Sequence, residues 1–244
     1  MFKDLLKLER FPTTWCPGCG LGMIMTQLAI VMDKLHLDHT NTTIISGIGC
    51  TGRMAGYFRV DGVHTLHGRT LPVAEAIKFV RPEINVIVVS GDGDLASIGG
   101  NHLIHVARRN TDITVLCNDN DVYGLTGGQA GPTTPVGTIT SSTPGGCRYE
   151  PINLQNLVKV GTQYHYAKTT VLHQAHLRKC IHESISWPGF SFVNITSQCI
   201  ENNGKRLGFH SAHEMLVHYR NTYKKAPEES ETLGNNEIGI IRKG

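Results

Sequence analysis

The stretch INVIVVSGDGD, residues 84–94, decides the fold of this chain. Residues 84–90 form a short, continuous and mostly β-branched apolar run, which is typical of a strand buried on both faces of a parallel sheet. The run leads straight into the glycine turn GDGD at residues 91–94. A helical pattern follows over residues 98–109, and a second apolar strand over residues 113–117. Together these segments predict a βαβ unit.

The same alternation of strands and helices continues on both sides of this unit. Apolar spacing predicts further helices over residues 18–35, 174–185 and 215–223, and further strands over residues 164–167 and 191–195. This order predicts an α/β fold with a mostly parallel sheet flanked by helices. We assign residues 1–223 to this single domain. Residues 224–244, where acidic residues gather, are interpreted as a polar C-terminal tail.

Composition and charge exclude several classes of protein. The chain has 244 residues, of which 40% are hydrophobic and 18% charged, as in an ordinary soluble globular protein. Its formal net charge is +3 and it has no basic block, which argues against nucleic-acid binding. No segment reaches the roughly 18 apolar residues that a membrane span needs, and the first residues lack the pattern of a secretory signal. We therefore expect a cytoplasmic protein.

Two predicted strands end at residues that can hold a diphosphate and its metal ion. Asp92 and Asn120 each follow a strand closely, and the carboxyl ends of parallel strands open on one crevice. Gly91 and Gly93 let the backbone approach a diphosphate, while the oxygens of Asp92 and Asn120 suit a divalent cation. The alternative is a tight turn with Asn120 as a cap. The two strand contexts favour the site, and a Rossmann site is disfavoured because no GxGxxG follows a strand.

The cysteines indicate a second kind of site. Seven cysteines without a secretory signal, two of them in a C-x-x-C, favour metal or redox use over a disulfide framework. Four stand out: Cys16, Cys19, Cys50 and Cys199. Their thiolates suit an iron–sulfur cluster or zinc, and the pattern alone leaves both open. The other three have no partner at ligand spacing and are interpreted as structural thiols: Cys117, Cys147 and Cys180.

Several segments taken together resemble a known family. They are WCPGCG at residues 15–20, GIGC at 47–50, HGR at 67–69, GDGD at 91–94, IGGNH at 98–102 and YGLTGGQ at 123–129. In addition, Asn120 follows Asp92 at the spacing of the thiamine diphosphate signature. From about residue 13 to residue 216 the chain resembles the β subunit of 2-oxoacid:ferredoxin oxidoreductases, and within that family the 2-oxoglutarate type.

The resemblance implies which residues hold each cofactor. Mg²⁺ on thiamine diphosphate is bound by Asp92, the side chain of Asn120 and the backbone carbonyl of Val122. The other residues implied to contact the cofactor are Ile48, Gly49, Cys50, His67, Gly68, Gly91, Gly93, Asp94, Gly124, Leu125 and Thr126. The resemblance further implies a 4Fe-4S cluster on Cys16, Cys19, Cys50 and Cys199. The chain departs from the family at Gln198, where proline is common. Proximity to thiamine favours iron over zinc, since only iron accepts an electron.

The implied reaction is the reversible, coenzyme A-dependent oxidative decarboxylation of 2-oxoglutarate, with electrons passing through the cluster to ferredoxin. The resemblance implies an α subunit that supplies the activating glutamate, in an α₂β₂ enzyme, so the β subunit alone is inactive. Glu75 is interpreted as a helix-surface residue instead.

The sequence says least about which 2-oxoacid is the substrate. His67, Arg53 and Leu125 are the expected catalytic-site residues, and the Arg53 guanidinium can grip the second carboxylate of 2-oxoglutarate. Alternatively, Arg53 lies at a subunit interface. Pyruvate or a branched-chain 2-oxoacid is the alternative substrate, and a zinc-stabilised, non-redox thiamine-binding subunit is the alternative outside this class.

Overall fold

The computed structural model describes residues 1–244. Its strands are β1 (Thr42–Ser46), β2 (Asp61–His64), β3 (Asn85–Gly91), β4 (Thr114–Asp119), β5 (Val122–Tyr123), β6 (Gln129–Ala130), β7 (Tyr164–Thr170), β8 (Ser191–Thr196), β9 (Lys224–Lys225) and β10 (Glu237–Lys243). Its α-helices are α1 (Leu21–Lys34), α2 (Thr70–Val80), α3 (Gly100–Arg109), α4 (Leu154–Val158), α5 (Gln174–Ile185) and α6 (Ala212–Thr222).

Eight strands form one sheet in the order β2-β1-β3-β4-β8-β7-β10-β9. Every neighbouring pair is parallel except β10 with β7. The strands β5 and β6 form a separate two-stranded ribbon at the start of the long loop. The α/β class with a mostly parallel sheet is thus confirmed.

The central strand β3 is covered on both faces, as its continuous apolar run predicts. Alternate side chains of a strand point to opposite faces. Ile87 and Val89 therefore join a core of 26 buried residues that includes α1 and α5. Val86 and Val88 join a second core of 20 buried residues that includes α2 and α3. This double covering holds the carboxyl end of β3 in place.

The C-terminal residues differ from the predicted polar tail. Residues 224–225 and 237–243 form β9 and β10 and extend the sheet. Ile238 and Ile241 are buried, and Ile241 pairs with Tyr166 of β7. Residues 226–236 between the two strands are mostly polar, so the short apolar pattern of β10 was not recognised in the sequence. The interpretation of residues 224–244 as a tail outside the core is corrected accordingly.

The helices were compared with what a membrane span requires. None of them combines the length and the apolar character that a transmembrane helix requires.

Candidate functional site

A cavity of about 280 Å³ lies beyond the carboxyl ends of β1, β3, β4 and β8. The chain goes from β1 outward to β2 and then returns through α2 to β3 on the other side of β1. The strand order therefore reverses between β1 and β3, and ligands of open α/β sheets bind at such a switch point. We call this cavity the switch-point cavity.

Most of the predicted site residues line the switch-point cavity. They are Cys16, Cys19, Ile48, Gly49, Cys50, His67, Gly91, Asp92, Gly93, Asp94, Asn120, Val122, Gly124, Leu125, Thr126 and Cys199. Gly68 is buried beside it and donates its N–H to Asp94 Oδ1 at 2.7 Å. Arg53 is the exception, because it lines a neighbouring cavity instead.

Asp92 is the most constrained polar residue of the cavity. Its side chain is buried, and its Oδ2 accepts a hydrogen bond from Thr133 Oγ1 at 2.8 Å. Burial and the charge of Asp119 raise the pKa of Asp92 to about 8. Burial also raises the pKa of Asp119 and of Asp121. A cation beside Asp92 would favour its ionised form, so this position suits a divalent metal ion whose other ligands are amide and main-chain oxygens rather than further carboxylates.

Asn120 and Val122 follow the carboxyl end of β4, the strand next to β3. The register pairs Gly91 of β3 with Asn118 of β4, so the turns after the two strands lie side by side. Asp121 has a φ of 64°, which turns the chain sharply between Asn120 and Val122. The Asn120 side-chain oxygen accepts the Val122 N–H at 3.3 Å. This local turn is able to present both an amide oxygen and a main-chain carbonyl to one ion.

Gly93 is required by close packing. A Cβ at this position would collide with the ring of Tyr123. The π-helical segment Gly93–Ile98 begins at the cavity. Its first backbone N–H groups have no partner within the segment and are available to a ligand in the cavity. This placement suits a diphosphate.

His67 is held by Asp94. The Asp94 carboxylate is buried, and its Oδ1 lies 2.5 Å from His67 Nδ1, while its Oδ2 accepts from Ser90 Oγ at 2.5 Å. Because a carboxylate only accepts, His67 Nδ1 carries the hydrogen. The other ring nitrogen, Nε2, is then left to act in the cavity. Asp94 thus orients His67 in addition to lining the cavity.

The four selected cysteines come together from distant parts of the sequence. Cys16 and Cys19 precede α1, Cys50 precedes the helical segment Thr51–Tyr57, and Cys199 follows β8. All four line the switch-point cavity. Burial, followed by the charges of the other three thiols, raises the pKa of Cys19 to about 12. The thiols therefore lie close enough to influence one another's ionisation.

The side chains of Trp15 and Gln198 form hydrogen bonds that connect the C-x-x-C turn, residues 16–19, with other parts of the cavity wall. Trp15 Nε1 donates to the carbonyl of Cys50 at 2.8 Å. Gln198 Nε2 donates to the carbonyl of Gly18 at 3.0 Å, and the carbonyl of Gln198 accepts the Gly20 N–H at 3.3 Å. The residue that departs from the family pattern thus joins the end of β8 to the C-x-x-C turn.

No group of three or more His, Cys, Asp or Glu side chains forms a ready-made site for a single metal ion. The remaining cysteines, Cys117, Cys147 and Cys180, are buried away from the cavity, as expected for structural thiols.

Some polar contacts of the site could not be found from the sequence. Thr133 reaches Asp92 from the long loop, and Asn203 Nδ2 donates to the Asn120 carbonyl at 3.0 Å. Asn202 Nδ2 donates to the Gly124 carbonyl at 2.7 Å. The only indication in the sequence was that Thr133 lies in a long Gly- and Pro-rich loop, a kind of segment that often contributes to functional sites.

The comparisons with known proteins agree with this geometry. Residues 47–195 match the family described as thiamine pyrophosphate enzyme, C-terminal TPP binding domain. Over 233 residues the chain is 38% identical to 2-oxoglutarate synthase subunit KorB of Methanothermobacter marburgensis, which covers 93% of the chain and 82% of that relative. Over 243 residues it is 35% identical to the subunit of the same name from Archaeoglobus fulgidus, covering 99% and 89%.

A solved structure is similar over the whole chain. It is the 2-oxoglutarate:ferredoxin oxidoreductase from Magnetococcus marinus with 2-oxoglutarate, coenzyme A and succinyl-CoA bound. The TM-score is 0.88 at 34% sequence identity, and the match covers 100% of this chain and 84% of that one.

Proposed function

Because the chain belongs to the β subunits of the thiamine-dependent 2-oxoglutarate:ferredoxin oxidoreductases, we propose that it carries the reaction centre of such an enzyme. The reaction is the coenzyme A-dependent oxidative decarboxylation of 2-oxoglutarate, with electrons passing to ferredoxin. One observation carries the proposal: a single cavity is lined by both a set of hard oxygen ligands and four thiols. Oxygen ligands suit Mg²⁺ and thiols suit iron.

Asp92, Asn120 and the carbonyl of Val122 hold Mg²⁺, and the turn at Gly91 and Gly93 holds the diphosphate. The cation relieves the cost of the buried Asp92 carboxylate beside other acids. Bound here, thiamine diphosphate supplies a carbon nucleophile and an electron sink. The cofactor contacts predicted at Ile48, Gly49, Gly124 and Thr126 belong to the same proposal.

His67 and Leu125 act on the substrate side of the cavity. Asp94 fixes the tautomer of His67, so Nε2 is the atom that holds or moves a proton near the reacting carbon. Leu125 lines the cavity from the long loop and provides an apolar wall that excludes water.

Cys16, Cys19, Cys50 and Cys199 bind a 4Fe-4S cluster. Iron is favoured over zinc because the four thiols line the same cavity as the proposed thiamine site, and only iron accepts an electron. A cluster held by these four residues would supply an electron acceptor beside the thiamine site.

An α subunit completes the enzyme, in an α₂β₂ assembly. Glu201 is the one glutamate that lines the cavity, and it pairs with Lys205 at 2.5 Å. Glu75 pairs with Arg109 on the helix surface. The cavity therefore contains no unpaired glutamate to activate thiamine, which supports a partner that supplies one.

The test is coexpression with the α subunit under nitrogen, followed by measurement of viologen reduction with a panel of 2-oxoacids. We expect the highest kcat/KM for 2-oxoglutarate, with strict dependence on coenzyme A. Higher efficiency with pyruvate or a branched-chain 2-oxoacid would reassign the substrate. No reduction with any 2-oxoacid would refute the proposed reaction.

Arg53 has its own test, because it lies outside the switch-point cavity. If its guanidinium reaches the second carboxylate of 2-oxoglutarate, Arg53→Ala lowers the 2-oxoglutarate-to-pyruvate ratio of kcat/KM by about tenfold. Arg53→Lys retains part of the ratio. An unchanged ratio would remove Arg53 from substrate recognition.

A further inference from the structure

A π-helical segment, Ile200–Gly204, directly follows Cys199. The Gly204 N–H donates to the Cys199 carbonyl at 2.8 Å, which closes a turn wider than that of an α-helix. Turns of this kind are rare and are frequently found at functional sites. Residues 200–202 line the switch-point cavity. We call residues 200–204 the thiol-side segment.

Two asparagine side chains connect the thiol-side segment to the turn after β4. Asn202 Nδ2 donates to the carbonyl of Gly124 at 2.7 Å, and Asn203 Nδ2 donates to the carbonyl of Asn120 at 3.0 Å. Asn203 is only 4% exposed, and its Oδ1 is buried without a donor in the chain. An unpaired buried acceptor costs stability, so stability alone does not favour asparagine at this position. The two bonds instead hold the segment against a turn that the sheet fixes in place.

The loop after this turn packs directly on the same segment. A Cβ at Gly128 would collide with the main-chain oxygen of Asn202, and a Cβ at Gly124 would lie 3.3 Å from Cys199 Sγ. The main chain of the loop therefore passes close to both the thiol-side segment and the thiol. Since Gly124 is one of the predicted cofactor contacts, the segment lies where the proposed thiamine site meets the cysteines.

The main chain of the thiol-side segment faces the sulfur of Cys199. Burial raises the pKa of Cys199, while the N–H groups of Asn202 and Asn203 oppose this rise by hydrogen bonding to the thiolate. Hydrogen bonds to the ligand sulfurs are among the factors that set the reduction potential of an iron–sulfur cluster. Because reduction adds negative charge, and such N–H groups stabilise negative charge, they raise the potential. Their effect depends on the direction in which the segment holds them.

We propose that Asn202 and Asn203 are positioning residues that fix the thiol-side segment to the turn after β4 and thereby raise the reduction potential of the cluster on Cys199. This inference rests on the proposed function. Both side chains donate to main-chain carbonyls and not to sulfur, so they act through the main chain between them and the thiol. Without these bonds the segment is free to turn, and its N–H groups exchange the sulfur for water.

The experiment is an EPR-monitored redox titration of the αβ enzyme, purified without oxygen, with Asn202→Ala and with Asn203→Ala. We expect the potential of the cluster to fall by about 59 mV in each variant, which is a tenfold shift in a one-electron equilibrium. Iron and thiamine contents stay as in the wild type. Asn85→Ala is the matched control, because Asn85 Nδ2 also donates to a main-chain carbonyl at 3.0 Å but lies outside the cavity. It leaves the potential unchanged.

The sign of the shift separates positioning from simple loosening of the structure. Water that enters beside a cluster stabilises the added negative charge, so loss of packing alone raises the potential. A raised or unchanged potential in the variants would therefore overturn the inference. If Asn203→Ala does not accumulate as a folded complex, Asn202→Ala decides the question, because Asn202 is only half-buried.

Hydrogen exchange separates this inference from the proposed function. In the αβ enzyme we expect the amides of residues 199–204 to exchange about tenfold faster in Asn202→Ala and Asn203→Ala than in the wild type or in Asn85→Ala. An enzyme without iron would refute the proposed cluster, and faster exchange in the two variants would still support the anchoring. Equal exchange rates in all four proteins would overturn the inference whether or not the cluster is present.

Discussion

The two halves of the switch-point cavity are built in different ways. The oxygen half rests on the ends of two adjacent, fully covered strands, and its Asp92 and Asp94 side chains are only 2% and 3% exposed. The thiol half is assembled from three distant segments, with Cys16 exposed and the other three cysteines half-buried. The sheet therefore fixes the first half before a cofactor binds. The second half depends on a few hydrogen bonds and on the proposed cluster.

The sharpest way to separate the halves is to remove one thiol. We expect Cys19→Ser to abolish ferredoxin reduction and to lower the iron content strongly, while thiamine diphosphate binding persists because the oxygen half is independent. Iron analysis and thiamine content of the purified αβ enzyme measure both. Cys117→Ser is the matched control, because Cys117 is buried in β4 outside the cavity and its loss leaves iron unchanged. Parallel loss of iron and thiamine in Cys19→Ser would show that the halves are coupled.

The reverse experiment removes the carboxylate of the oxygen half. Asp92→Asn should lower activity by about a hundredfold through loss of Mg²⁺ and thiamine diphosphate, with the cluster retained. The control is Asp112→Asn, because Asp112 is an exposed residue that pairs with Lys78 away from the cavity. If Asp92→Asn kept full thiamine content, Asp92 would not be a ligand of the ion.

The same carboxylate makes the cofactor-free chain sensitive to pH. Burial raises the pKa of Asp92 from its usual range to about 8 in the folded chain. The folded state therefore binds more protons than the unfolded state between about pH 4 and pH 8, and its stability falls as the pH rises through this window. Denaturant melts of the metal-free chain should show this fall, and Asp92→Asn should reduce it. A pH-independent difference between the two chains would contradict the assignment.

A smaller effect is expected from the residue that orients His67. Asp94→Asn replaces an acceptor with a group that can also donate, which loosens the His67 tautomer. We expect kcat to fall about tenfold with an altered pH profile, and the KM for 2-oxoglutarate to change little. If His67 acts through its ring, His67→Asn shows the same profile, and adding Asp94→Asn to it costs nothing further.

The smallest effect concerns the hydrogen bond across the thiol half. Gln198→Ala removes the bond to the Gly18 carbonyl, which contributes about 1 kcal/mol to stability. The cluster should then bleach faster in air, with little change in initial activity. Gln163→Ala is the control, because Gln163 lies on the surface and its oxygen accepts only from Asn110. Equal bleaching rates would mean that Gln198 does not support the cysteine turn.

The oxygen half and the thiol half also differ in how far the sequence alone predicts them. Asp92 and Asn120 could be predicted from the residues alone, because they directly follow two strands that are adjacent in the sheet. Val122 and Asp94 needed the family resemblance. The thiol set needed the family resemblance, since nothing local connects Cys199 to Cys16. Thr133 was missed because it arrives through a long loop. The strand β10 was missed because residues 226–236 are polar.

The cavity of about 660 Å³ next to the switch-point cavity could not be predicted from the sequence either. Lys7, Arg10 and Arg53 are scattered among other charged residues, and only the fold places them around one space. Arg53 was predicted beside the substrate, but it lines the cavity next to the switch-point cavity instead.

We propose that the four thiols hold an iron–sulfur cluster beside the thiamine site. Metal and sulfide analysis of the αβ enzyme purified without oxygen, together with EPR after reduction by dithionite, tests this directly. We expect about four iron and four sulfide per β chain and the signal of a reduced cluster. A colourless enzyme with zinc, or with no iron, would contradict it.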